Sequence, residues 1–364
     1  VALFGPNVKM YSPADDRAAI AAEIKNIDDQ LFHDQFSEKR YAEVFKPGDY
    51  RDAGKFNIPY YVQIMGLGQI PTDVKIYNIE CPPALDNNNA TCNFWRAMEN
   101  LSVLKNGDGN WLLWSVSQAA PMRRIYTDRF TDYDWYGEGW ASGGFTADCY
   151  FADQVGTYSQ QQWYTRNSHL DKGDISNGNG GWNIAYQGIT LGNGVNANHF
   201  KDNWEGKDQG LGWGFISGEE KTPVIREKPF LFLGDDGRYK LFRPALRRDA
   251  VGPSWTLNNM GEGTTYDVVN DCFVAKPETP VATINAQLAA GKHVIFTPGL
   301  YVLNQPIRVT VPNTIVLGIG LPTLIPGEQN DNAALIVGDI DGATVAGFMF
   351  DTYYSSESLL KVGE

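Results

Sequence analysis

The sequence predicts an all-β fold of two tandem right-handed parallel β-helices, each opened by a short N-terminal capping helix, with the second β-helix incomplete. Three observations carry this. A phrase occurs twice: Val44-Phe-Lys-Pro-Gly-Asp-Tyr50 leads into Val62-Gln-Ile-Met-Gly-Leu-Gly68, and Ile295-Phe-Thr-Pro-Gly-Leu-Tyr301 leads into Ile315-Val-Leu-Gly-Ile-Gly-Leu321. In both, apolar residues run into a Pro-Gly turn, an aromatic closes it, and a strand rich in β-branched residues follows, which is how a coil of stacked strands begins. Upstream of each copy lies a short helical pattern, Ala18 to Leu31 and Ala282 to Ala290, placed to cover the open edge of a first coil. From Tyr60 onward, short apolar runs alternate with Gly, Asn and Asp and no helix intervenes, which suits stacked coils better than a doubly wound sheet. A β-sandwich competes but leaves the repeated Pro-Gly turn unexplained.

In order, Asn7 to Tyr11 is an opening strand and Ser12-Pro-Ala-Asp-Asp16 caps the helix after it. Expected strands are Tyr61–Met65, Val74–Ile79, Phe94–Met98, Leu101–Val103, Leu112–Ser117, Arg124–Thr127, Gly144–Ala147, Gln162–Thr165 and Ile184–Ile189. Residues 171–220 turn irregular, mixing Gly and Asn with Trp204, Trp213 and Phe215, a combination more often functional than decorative. Thr222 to Arg247, around the Gly234-Asp-Asp-Gly turn, has the pattern of a hairpin connector. The expected organisation is therefore a first β-helix over residues 1–220, a connector over 221–272 and the start of a second β-helix over 273–364, still stacking at Ser358-Leu-Leu-Lys-Val and expected to continue in a parent chain or a second chain.

At 364 residues with 13% aromatics, 38 Gly and a net charge of −13, the chain is turn-rich and a poor partner for nucleic acid, whose phosphates need clustered Lys and Arg. No apolar run approaches the roughly 20 residues that span a bilayer, so no membrane partner is expected. A start at Val1, four cysteines of which Cys81 and Cys92 could close a small loop, and the sequons Asn89-Ala-Thr and Asn100-Leu-Ser together predict a processed, secreted protein.

Residues able to carry chemistry are densest from Trp111 to Asn167. Aromatic faces beside acids, amides and Arg suit a sugar: rings stack on the apolar face of a pyranose while polar groups take its hydroxyls. The expected substrate-binding set is Trp135, Trp140, Trp163, Arg123, Arg124, Gln162 and Arg166. Glycoside hydrolysis needs two carboxyl groups, one held protonated. Asp148, inside a strand where burial would raise its pKa, is the first candidate, with Asp153, Glu138 and Asp134 as partners. Against this, turn carboxylates commonly cap backbone groups, the arginines could pair internally, and the tryptophans could pack a coil. The four histidines are scattered and no Cys or His pair has zinc spacing, so no metal or cofactor is expected. A structural calcium remains an alternative at Asn106-Gly-Asp-Gly-Asn110 or Asp171 to Asn179.

The phrases Phe4-Gly-Pro-Asn-Val, Phe45-Lys-Pro-Gly, Asn93-Phe-Trp-Arg, Glu99-Asn-Leu-Ser-Val, Ser117-Gln-Ala-Ala-Pro, Gly139-Trp-Ala-Ser-Gly-Gly-Phe, Gln162-Trp and Arg226-Glu-Lys-Pro-Phe resemble secreted bacterial and fungal β-helix proteins usually labelled by an attached discoidin (coagulation factor 5/8 type) module. That resemblance implies a longer parent. More loosely, the pectate-lyase-like tandem plan is similar to the family 55 β-1,3-glucanases, and the single-helix plan to the family 87 α-1,3-glucanases and mycodextranases. The Gly-Asp-Gly-x-x-Asp-Asp-Thr phrase common in such enzymes is absent here. The function expected is an extracellular glycoside hydrolase acting on an α-1,3- or β-1,3-glucan. The alternatives are a polysaccharide lyase, resting on Arg123, Arg124 and Arg166, and a non-catalytic carbohydrate-binding or adhesin β-helix.

Overall fold

The computed structural model describes residues 3–107, 110–158, 160–175, 183–202 and 216–363. Nine strands follow one another in a single parallel path: Val8–Tyr11, Tyr41–Phe45, Val62–Gly66, Arg96–Val103, Pro121–Thr127, Phe145–Ala147, Tyr164–Arg166, Ile184–Gln187 and Ile216–Glu219. Each turn of chain adds one rung, in registers such as Gln63↔Ala97, Met122↔Met98 and Ala147↔Arg166. Side chains alternate across a strand. Val62, Ile64, Met98, Leu101, Met122 and Ile125 therefore point into the coil, where they meet Leu112, Trp114, Phe151 and Val155 of the other walls in one core. Gln63, Met65, Ala97, Glu99, Pro121 and Arg123 fall on the outer face of the same strands.

The helix Arg17–Leu31 covers the first rung. Asp16 accepts from the Ala19 N–H as its N-cap, and Ile20, Ile24, Ile27 and Leu31 recur on one face at helical spacing and are buried on the coil core. Val281–Ala289 repeats the device, burying Val281, Ile284 and Leu288. The two Pro-Gly corners occupy equivalent surroundings. Tyr50 Oη donates to Lys46 O at 2.8 Å and Tyr301 Oη donates to Thr297 O at 2.8 Å. A Cβ on Gly48 would lie 2.3 Å from Pro13 Cγ, and one on Gly299 would lie 2.2 Å from Pro277 Cγ, so both corners demand glycine for close approach.

Between the β-helices the chain turns antiparallel. Thr222–Ile225 pairs with Arg247–Ala250, and Phe230–Leu233, Tyr239–Pro244 and Gly263–Asp267 form a three-stranded sheet. The second parallel β-helix has three walls, led by Cys272–Ala275, Leu300–Leu303 and Ile307–Val309. The outward apolar residues of both β-helices meet in one further core: Ala42, Val44 and Met65 from the first, Ile295, Ile315, Leu317 and Ile319 from the second, and Leu231 and Leu241 from the connector. At roughly 1.5–3 kcal/mol per fully buried large aliphatic side chain, this seam fixes the β-helices side by side.

Two expectations are corrected here. Cys81 and Cys92 do not form a disulfide; the buried Cys81 thiol instead accepts from Asn93 Nδ2 and Arg96 Nη1, both at 3.4 Å. Asn100 cannot accept a glycan, because its side chain is buried and donates to Gly66 O and Gly68 O. Asp174, within the second calcium alternative, accepts from Tyr186 Oη at 2.7 Å and lies 2.9 Å from His199 Nδ1. Asp108 and Gly109 of the first alternative, the 176–179 part of the second, and Trp204, Trp213 and Phe215 lie outside the described residues.

Candidate functional site

Where the two β-helices meet beside the connector, a cleft of about 330 Å³ opens. Its floor is the outer face of the central rungs, with Gln63, Ala97, Glu99, Pro121 and Arg123, and its far wall is Leu321 and the segment Val345 to Met349. Trp95 and Ala119, which carry positive φ at the corners just before two successive strands, form its lip. Trp95 packs with Tyr60, Tyr61, Leu321 and Met349 from both β-helices, so this ring sits on the joint itself.

Among the described residues, Glu99 is the carboxylate of this cleft. Strand alternation throws it outward, yet it is only 4% exposed, because Lys228 reaches over it from the connector and Gln63 Nε2 donates to it at 3.0 Å. The Lys228 Nζ contact is 2.5 Å, and burial holds this ammonium below the ordinary lysine range. Gln63 uses its other end to accept from Gly320 N at 2.7 Å, linking the acid to the second β-helix. The Arg123 guanidinium lies over the Phe145 ring at 4.7 Å, and burial pushes its pKa down. The cleft thus combines an aromatic lip, one fixed carboxylate, an amide, an ammonium and a guanidinium.

Of the residues expected from sequence, the structure brings Arg123 into this cleft and places the others elsewhere. Asp148 is buried beneath the connector: Ser254 N and Oγ donate to its carboxylate at 2.5 and 2.8 Å, and Arg124 Nη1 lies 3.6 Å away. Burial and the charge of Glu227 raise its pKa, as expected of an acid, while Arg124 and Ser254 oppose the shift. It is only 2% exposed and does not line the cleft. Arg124 donates to Asn100 Oδ1, Gln69 O and Met260 O and stacks on Phe230 at 4.1 Å. Arg166 makes a two-pronged pair with Glu227, at 2.6 and 2.9 Å. Asn100, Arg124, Asp148 and Asn167 all carry positive φ, and they form a column that fastens the connector to the first β-helix.

Asp153 is bridged by Lys105 at 3.2 Å and Lys172 at 3.0 Å. Burial works against its ionisation, but the Gln154 N–H and the two ammonium groups outweigh it and hold its pKa low, the wrong direction for a general acid. Trp163 is 1% exposed and stacked on Tyr133 with centroids 3.8 Å apart, so it packs the coil and offers no face to a sugar. Trp135, Trp140, Glu138 and Gln162 keep exposure on loops and do not line the cleft. Glu99, Lys228, Gln63 and Trp95 were missed. The available signal was a glutamate between Met98 and Asn100 in a strand whose alternate residues are apolar.

Residues 272–364 match the family described as the LAM55 pectate lyase-like domain. Over 367 residues the chain is 40% identical to an exo-beta-1,3-glucanase of Streptomyces sp. (strain SirexAA-E / ActE), the match covering 99% of this chain and 55% of that protein. The solved structure of sacteLam55A from Streptomyces sp. SirexAA-E superposes with a TM-score of 0.87 at 39% identity, covering 99% of this chain and 61% of that one. A glutamate-to-alanine variant of sacteLam55A in complex with glucose superposes with the same TM-score, 0.87, at 38% identity. The chain therefore spans little more than half the length of these relatives. These likenesses overturn the expected placement among discoidin-labelled proteins, since the matching domain is described as LAM55 pectate lyase-like and the matching relative as an exo-beta-1,3-glucanase.

Proposed function

We propose that the protein is a secreted glycoside hydrolase that removes sugar units from the end of a β-1,3-glucan, and that the glucan lies in the cleft between the two β-helices. The observation that carries this reading is the cleft itself, where Trp95 offers a ring and Glu99, Gln63, Arg123 and Lys228 offer polar atoms to hydroxyls at a joint built by both β-helices. The name of the 40% identical relative supports the linkage and the exo action.

Hydrolysis by carboxylate acid and base needs two carboxyl groups, and the cleft among the described residues supplies Glu99. Ion-paired with Lys228, Glu99 acts in this reading as a fixed acceptor that orients a sugar hydroxyl or the attacking water. The proton-donating carboxyl is assigned to the length of the relatives that this chain does not span. The lyase alternative loses two of its three arginines, because Arg124 and Arg166 are held in internal pairs. The test is digestion of a linear β-1,3-glucan by the whole protein, with products resolved by chromatography. Release of saturated short sugars is expected. Products with ultraviolet-absorbing unsaturated ends would move the assignment to a lyase, and binding without products to a non-catalytic module.

A further inference from the structure

On a wall of the first β-helix away from the cleft lining, Trp111–Leu113, Phe130–Asp132 and Val155–Gly156 stack as a separate parallel sheet. Phe130 pairs in register with Trp111, and both keep part of their rings outside the core. The loop after Asp132 adds Trp135 and Tyr136, and the turn after Gly156 adds Tyr158. The rings join in a chain: Trp111 to Phe130 at 4.6 Å, Trp111 to Tyr136 at 5.3 Å, Trp135 to Tyr136 at 5.6 Å and Phe130 to Tyr158 at 6.3 Å between centroids. Tyr136 is 54% exposed.

This is not coil packing that failed to close. Trp135 and Tyr136 are consecutive bulky residues with φ of 48° and 58°, a conformation that costs energy and persists only where the surroundings impose it. Buried Asp132 imposes it, accepting from Asp134 N at 2.7 Å and Tyr136 N at 2.6 Å. Gly156 leaves the space the rings need, since a Cβ there would lie 2.7 Å from Tyr158 and 2.9 Å from Phe130. A connected row of partly exposed rings is the kind of surface on which sugar rings stack. Its edge carries Lys55, already paired with Glu80 at 2.7 Å, and its loop carries the exposed Glu138, so with a net charge of −13 nothing there draws an anionic polymer.

We propose that Trp111, Phe130, Trp135, Tyr136 and Tyr158 form a second, non-catalytic binding surface for a neutral polysaccharide, on which the pyranose faces of a β-glucan chain stack while the cleft works on a chain end. The choice of glucan rests on the function proposed above; the existence of the surface does not. The test is affinity electrophoresis of the whole protein in gels containing soluble linear β-1,3-glucan, beside turnover of a short β-1,3-oligosaccharide too small to bridge both places.

Trp111→Ala/Tyr136→Ala is expected to weaken retardation by polymer on the order of tenfold and to leave short-oligosaccharide turnover unchanged, while Trp111→Phe/Tyr136→Phe, which keeps the rings, restores most of the retardation. Undiminished retardation of the alanine variant would overturn the surface and leave the cleft reading standing. Equal loss in the alanine and phenylalanine variants would overturn it as well. Ring-dependent retardation without any hydrolysis would support the surface and sink the hydrolase reading.

Discussion

Glu99 lies on the outer face of its strand, held in place from two other segments. Lys228 comes from the connector and Gln63 from the rung above, so the carboxylate has no freedom to rotate away from the cleft. Glu99→Gln keeps the shape and removes the charge. With a charge-assisted hydrogen bond worth about 1.5–3 kcal/mol, kcat/KM of the whole protein on β-1,3-glucan should fall roughly ten- to a hundredfold. Steady-state kinetics check this; unchanged kcat/KM would remove Glu99 from the site.

His293 gives a second residue-scale prediction. Its Nδ1 accepts from Ile315 N at 3.0 Å, which requires the neutral ring, and burial followed by the charge of Arg243 pushes its pKa from 6.5 down to about 4. The unfolded chain binds this proton more readily, so the stabilisation is full above pH 6.5 and is lost as pH falls through 4. The loss is on the order of 3 kcal/mol at its limit. Urea unfolding at pH 7 and pH 4.5 should show a smaller drop for His293→Gln than for the parent, and equal drops would contradict the assignment.

At the scale of elements, the sequence revealed what depends on neighbours in the chain. Apolar alternation placed the rungs, Pro-Gly with a following aromatic placed both corners, and the helical periodicity of Ile20, Ile24, Ile27 and Leu31 placed the first cap within a residue of its observed start. The fastening of the connector was not legible, because its partners are far apart in sequence. Asp148 meets Ser254 and Arg166 meets Glu227, and no local pattern announces either pair. The same property that made Asp148 look catalytic, a buried carboxyl with a raised pKa, arises from that fastening. Arg124 is its central cation, so Arg124→Met, which strands Asp148 without its partner, should lower the unfolding free energy by about 3–5 kcal/mol. Limited proteolysis should then cut the connector between 221 and 267 sooner than in the parent, and an unchanged cutting rate would show that the fastening lies elsewhere.

For the whole molecule, the decisive feature is that the proposed site lies between the β-helices, whereas the sequence pointed to a single stretch of the first. The cleft needs the outer face of the rungs around Glu99, the lip at Trp95 and the wall from Val345 to Met349, three segments brought together by the apolar seam of Val44, Met65, Ile315 and Leu317. The tandem repeat was visible because both corners carry the same phrase; the packing of the repeats against each other was not, because it depends on which alternate residues face outward in each. The most direct measurement is a crystal structure of the whole protein with a β-1,3-linked oligosaccharide. The account predicts sugar density against Trp95 and within hydrogen-bonding reach of Glu99 and Arg123. A fully occupied oligosaccharide bound away from the joint, with the cleft holding only water, would contradict it.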